Sequence, residues 1–175
     1  MEQARYFIKD LKSILGRNKY RILIIFFNRA FWGIFSYRLD RTLYSGLGAN
    51  YKYLRLFLTP LFYTFQVISN CDIHYRADIK GGINIHHPAL GVVISGKSII
   101  GENLTLTGGN TIGIANGLPN EKIIIGNNCN FGANSCLIGP LSIGDFIKIA
   151  AMACVVKTYE KDNLVLIGVP AKPKN

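Results

Sequence analysis

Two adjacent histidines, His86 and His87, stand ahead of Pro88 and Gly91 in the run from Ile85 to Ile94. They are the side chains best placed to do chemistry in this chain. Imidazole is the one side chain whose ordinary titration falls between pH 5 and 8, so it suits the removal of a proton from a hydroxyl as that hydroxyl attacks. On the residues alone, a structural role for the pair stays open. Four cysteines, Cys71, Cys129, Cys136 and Cys154, show no CxxC spacing and no histidine at ligand spacing, so neither a zinc site nor any other metal is expected. Lys157 and Lys161 read as solvated charges.

The elements that must carry the histidines announce themselves by a period of six. A large apolar residue returns at Ile73, Ile79 and Ile85, then at Ile94, Ile100, Leu106 and Ile112, then at Ile125, Phe131, Leu137, Ile143, Ile149 and Val155. Helices repeat near 3.6 and strands near 2, so neither accounts for six. A chain wound into triangular coils does, because each flat face presents one apolar side chain to a core shared with the coils above and below. The spacing predicts a mainly β fold, a left-handed parallel β-helix of hexapeptide repeats. A sandwich would need turn signals every 8–12 residues and strict alternation, which are missing. The repeat breaks twice. Ile85 to Ile94 is nine residues, so about three must bulge, and they hold the histidine pair. Ile112 to Ile125 is thirteen, counted as two hexads plus one, and carries the turn-rich Asn116-Gly117-Leu118-Pro119-Asn120. Projections from a flat wall are where function sits.

Charge and aromatic content divide the chain. The net charge is +10, of which residues 1–66 hold +8, from eleven Lys/Arg and three Asp/Glu; the same segment has sixteen of the twenty aromatic residues. Two regions are expected: a basic, aromatic, helical segment over 1–66 and the β-helix over 67–175. The apolar stretches Ile22 to Phe27, Ala30 to Phe35 and Leu56 to Ile68 fall short of the roughly 18–20 residues of a spanning helix. No secretory signal is expected, since the first apolar run comes late and lacks a small-residue cleavage site. The cysteines should then be reduced thiols in the cytoplasm, with Cys136 and Cys154, 18 residues apart, stacked on successive coils. Cations beside aromatic rings read as helices lying on an anionic bilayer. Trp32, Phe31 and Phe35, with Phe57 and Phe62, should enter the acyl boundary, and the protein should sit peripherally on the inner face of the cell membrane. The alternative is an apolar face packed on the β-helix or a second subunit. Nucleic acid is not expected, because no recognition motif accompanies the basic residues.

Several segments resemble the serine acetyltransferase branch of the hexapeptide acyltransferases: Asp72-Ile73-His74, His86-His87 through Gly91-Val92-Val93-Ile94, Thr111-Ile112-Gly113, Ile125-Gly126-Asn127-Asn128 and Gly168-Val169-Pro170-Ala171-Lys172. The resemblance covers about residues 68–173. It implies a homotrimer with each site between two subunits, which moves acetyl from acetyl-CoA to a hydroxyl by direct transfer. The family's catalytic histidine falls on His87 and the aspartate that orients it on Asp72. A carboxylate on the far ring nitrogen fixes the tautomer and steadies the imidazolium that forms. The resemblance further implies that Gly113, Ala133 and Ala151 line the coenzyme A arm and that Lys172 lies toward its phosphates. His74 reads as outward-facing and structural.

The chain departs from that pattern at the acceptor. His86 replaces the family's serine-binding aspartate, and Pro119-Asn120-Glu121 replaces the loop segment bearing its second active-site histidine; a long acidic front domain gives way to 66 basic residues. With His86 and Asn120 facing the acceptor, the chain resembles more closely the O-acetyltransferases of bacterial surface-polysaccharide clusters. The expected acceptor is then a sugar hydroxyl, lipid-linked or otherwise. Serine O-acetyltransfer is the alternative, and a non-catalytic β-helix scaffold is the alternative of another class.

Overall fold

The computed structural model describes residues 2–16, 19–115 and 121–174. Three helices, α1 (Glu2–Leu15), α2 (Arg29–Leu47) and α3 (Tyr51–Ser69), with a 3-10 segment Lys19–Phe27 between the first two, precede a left-handed parallel β-helix of about four turns. Its first wall stacks Cys71–Ile73, Val92–Ile94, Asn110–Ile114, Cys136–Gly139 and Cys154–Val155 in that order. The second wall comprises Asp78–Ile79, Ser98–Ile100, Ile123–Ile125 and Leu141–Ile143. The third comprises Asn84–Ile85, Thr105–Leu106, Asn130–Phe131, Lys148–Ile149 and Val165–Ile167, closed by the antiparallel Lys172–Pro173.

The hexad residues form the core: twelve of the thirteen are buried, with Ile73 intermediate on the first strand. A second inward residue lies two positions before each of those twelve, as strand alternation requires. These are Ala77, Ile83, Leu104, Cys129, Ile147 and their counterparts, all buried. Several are small or polar, so they escape a search for large apolar repeats.

Register fixes the size of both projections. Cys71 pairs with Val92, 21 residues on, and Val92 with Asn110, 18 on, so the histidine bulge adds three residues to a coil. Thr111 pairs with Cys136, 25 residues on. The second break is therefore one hexad step plus a seven-residue insertion, and not the two hexads plus one counted in the sequence. Residues 116–120, Asn120 among them, lie outside the described residues. Cys136 and Cys154 are register partners on the first wall, as their spacing predicts.

Helices α1 and α2 close the end of the coil at its first turn. Tyr37 Oη donates to Ala77 O (2.9 Å) and accepts from Ile79 N (3.2 Å). Arg38 donates to Ile79 O (2.7 Å) and Lys80 O (2.8 Å) and forms an ion pair with Asp10 (2.8 Å). Asp10 Oδ1 accepts from Gly82 N (2.6 Å) and Ile83 N (3.0 Å). The backbone groups left open at a β-helix end thus find partners in the helices. Burial raises the Asp10 carboxyl while Arg38 and the two amides oppose it. This is the alternative foreseen for the front segment, realised in α1 and α2. Phe31 and Phe62, expected in a bilayer, are buried instead, because α2 packs against α1 and α3 and draws Phe7, Phe31, Phe35, Trp32 and Phe65 into one ring cluster.

Candidate active site

His86 and His87 leave the third wall still hydrogen-bonded to it: His86 N donates to Leu106 O (2.9 Å) and His87 N to Thr107 O (2.8 Å). Pro88–Leu90 then makes a single 3-10 turn, with Leu90 N donating to His87 O (3.1 Å), before the chain joins the first wall at Val92. Both rings are exposed. The His86 ring nitrogen Nε2 lies 3.4 Å from Asn84 Nδ2.

Asp72 reaches the same corner from the other side. Two residues before it, Asn70 donates from Nδ2 to Ala89 O (2.9 Å) and accepts from Val92 N (3.2 Å), which ties the histidine loop to the Asp72 strand. Asp72 is exposed and sits opposite Val93, above Thr111, Cys136 and Cys154 in one outward column. Among the described residues Asp72 and His87 share this corner without a hydrogen bond between them.

The loop is held by residues that sequence reading passed over. Asn110, buried in the second inward column, accepts from Gly108 N (2.8 Å) and donates to Gly132 O (2.7 Å) and Ser135 Oγ (2.9 Å). Gly108, at φ +132°, lies so close under His87 that a Cβ there would come within 2.3 Å of the His87 carbonyl oxygen. The signal was available: Gly108-Gly109-Asn110 falls one coil below the pair.

Below His87 this corner is made of small residues on successive coils. Gly132 and Ala133 follow Gly108, and Ala150 and Ala151 follow them; a Cβ on Gly132 would meet Ala151 N at 2.5 Å. Lys172 is exposed at the far end of the third wall. Gly113 is not on this edge. It pairs with Ile138 toward the other end of the first wall, where Ile114, His74, Arg76, Ser95, Gly96 and Lys97 line a cleft of about 430 Å³. His74 stacks on Tyr75 (ring centroids 4.6 Å) and accepts from Arg76 N. Desolvation, then the charges of Arg55 and Arg76, lower its pKa, so it stays a neutral ring. A cavity of about 480 Å³ lies among α1 and α2, lined wholly by helix residues such as Phe7, Phe35 and Arg38.

No family model matches the chain. A serine acetyltransferase of Buchnera aphidicola is 28% identical over 170 residues, covering 94% of this chain and 62% of the relative; the chain thus spans less than two thirds of that protein's length. The serine acetyltransferase of Neisseria gonorrhoeae in complex with serine matches with a TM-score of 0.82 and 28% identity, over 98% of this chain and 68% of that one. The Brucella abortus serine acetyltransferase in complex with coenzyme A matches with a TM-score of 0.77 over 98% of this chain and 67% of its own, and at 23% identity it speaks for the fold alone. The chain is serine acetyltransferase-like, with the hexapeptide-repeat acyltransferase fold.

These matches overturn the sugar acceptor. It rested on two loop positions, His86 and Asn120, and on a front segment taken to replace the family's own. A match over 98% of the chain includes α1, α2 and α3, so the front segment is shared architecture. Two altered loop side chains change how an acceptor is gripped; they do not outweigh likeness through both coil and cap, and the proteins matched are serine acetyltransferases.

Proposed function

We propose that this protein is a serine O-acetyltransferase that uses acetyl-CoA. The observation that carries the reading is likeness to a serine-bound serine acetyltransferase through coil and capping helices together. Asp72 and His87 at one corner of the coil add to it. In this reading His87 takes the proton from the serine hydroxyl as the oxygen attacks the thioester carbonyl. Asp72, brought onto the other ring nitrogen, holds the tautomer and stabilises the imidazolium. His87 then returns the proton to the departing thiolate, so no acyl-enzyme is formed and both substrates are held at once. Gly132, Ala133, Ala150 and Ala151 leave room along the edge for an extended pantetheine arm, and Lys172 supplies charge for phosphate. Gly113, on the other side of the wall, would touch that arm only where a neighbouring chain brings its edge across.

The exposure of His86, His87 and Asp72 in one chain favours a site completed by a second, as in a homotrimer. His86 faces the acceptor beside His87. A protonated imidazole there would pair with the serine carboxylate, in place of an aspartate reading the ammonium.

The test is thiol release from acetyl-CoA with free serine, with the product identified by mass spectrometry. O-acetylserine formed at the rate of CoA release supports the proposal. Release without acetylserine, or acetyl appearing on nucleotide sugars and not on serine, overturns it. Absence of any CoA binding would mark a non-catalytic scaffold.

A further inference from the structure

We propose that the outer half of α3, together with the 3-10 segment Lys19–Phe27, is a surface that inserts into an anionic lipid bilayer. Helix α3 is apolar nearly all the way round. It turns Tyr51 and Phe62 inward, yet Leu56, Phe57, Leu61, Tyr63 and Val67 are exposed on other faces, Phe57 at 80%. A helix of that composition normally has a partner on every side. The 3-10 segment does the same with Leu23, Ile24, Phe26 and Phe27, the last 88% exposed. The two patches are joined through rings: Phe26 meets Trp32 (6.1 Å), and Trp32 stacks on Phe65 of α3 (5.4 Å, 14° between planes). An exposed apolar surface this extensive marks a contact with something.

Charge selects the occupant. Of the three carboxylates in residues 1–66, Asp10 and Asp40 are buried and paired with Arg38 and Arg55. The third, Glu2, is engaged by Tyr6, and no carboxylate occurs between Asp40 and Asp72. The patch is therefore rimmed by exposed cations, Arg21, Arg29 and Lys52, with no acid among them. A second copy would set like rims against each other. Anionic headgroups complement the rim while acyl chains take up the rings. No single helix among the described residues is long and apolar enough to cross a membrane, and Tyr20–Phe27 meets the following helical stretch at a 77° bend, which suits a surface lying in the interface.

The full chain should sediment with phosphatidylcholine vesicles containing phosphatidylglycerol and not with phosphatidylcholine alone. Salt should weaken the binding without abolishing it, since buried rings are not screened. Each basic residue removed should cost about fivefold in partitioning, so Arg21→Gln with Lys52→Gln should cost about 25-fold. Leu56→Ser with Phe57→Ser should remove the salt-resistant part, with acetyl transfer to soluble serine unchanged in both variants. The proposal is overturned by absence of binding to the anionic vesicles or by equal binding to neutral ones. It is equally overturned if the Leu56→Ser/Phe57→Ser variant halves the mass of the assembly in solution, because a second copy would then cover the patch. Retention of the chain on vesicles through alkaline high-salt extraction would show a spanning segment and also overturn it.

Discussion

Replacing Gly108 by alanine tests the placement of His87 without touching its ring. The added Cβ would lie 2.3 Å from the His87 carbonyl oxygen, where ordinary contact begins at 3.4 Å, and the φ of +132° gives an L side chain no easy escape. Gly108 is itself held by Asn110, which accepts its N–H, so the histidine loop must yield by about 1 Å, the difference between the two distances. A misplacement of that size in a reacting group costs on the order of 10²-fold in rate, equivalent to about 2.7 kcal/mol at 1.36 kcal/mol per decade. The assay is thiol release at saturating serine and acetyl-CoA, with both KM values measured separately. The loss is expected in kcat, and combining Gly108→Ala with His87→Ala should add little to His87→Ala alone, since both act on one group. Gly46→Ala is the control: a Cβ there meets nothing within 4 Å, so turnover should hold and the helix should gain up to about 1 kcal/mol. A folded Gly108→Ala variant with kcat within about twofold of the parent, well short of the roughly 10² expected, would refute the assignment of His87's position to this contact.

Other outcomes follow from the same geometry. His87→Ala should retain coenzyme A binding and lose about 10²–10⁴-fold in turnover, and Asp72→Asn should be impaired less; an active His87→Ala beside a dead His86→Ala would show that the wrong neighbour had been assigned. Cys136 and Cys154 are parallel register partners, about 4.8 Å apart as adjacent strands, so an added oxidant should join them, as peptide mapping would show. Burial pushes the Cys71 and Cys129 thiols up to about 11, leaving almost no thiolate at pH 8. Iodoacetamide should spare these two in the folded protein and label them once urea unfolds it.

The coil was legible because its period is simple: one large apolar residue per face, every six positions, and twelve of thirteen are buried. The histidine projection was legible for the complementary reason, since a nine-residue gap in a six-residue repeat has nowhere to go but outward. What escaped has physical causes. The second inward column alternates Ala, Ser, Asn and Cys with Ile and Leu, because triangular coils leave unequal space at that position, so no hydropathy period betrays it. Asn110 was invisible for the same reason, although it braces Gly108 under His87. The later insertion was misread because Leu118 happens to sit six residues past Ile112; only strand pairing tells a coil from a loop. The acceptor was misjudged by weighting two loop side chains over the shared frame.

Cap and site are also less separable than a division at residue 66 implies. The strand that carries Asp72 is the first of its wall, with a paired neighbour on one side only. What bears on it from outside is α2: Gly33 lies so close that a Cβ there would be 2.9 Å from Cys71 Cβ. Asn70, the cap of α3, grips both ends of the histidine turn through Ala89 O and Val92 N. Asp10 and Arg38, both buried, fasten the same helices to the backbone from Ile79 to Ile83. Both partners of the dyad are therefore placed by contacts that run into the helical segment. An edge strand fixed on one side only would leave Asp72 free to move relative to His87, and a dyad tolerates little of that. The helices do for the first coil what each coil does for the next, and that is why the likeness to serine acetyltransferases extends through them.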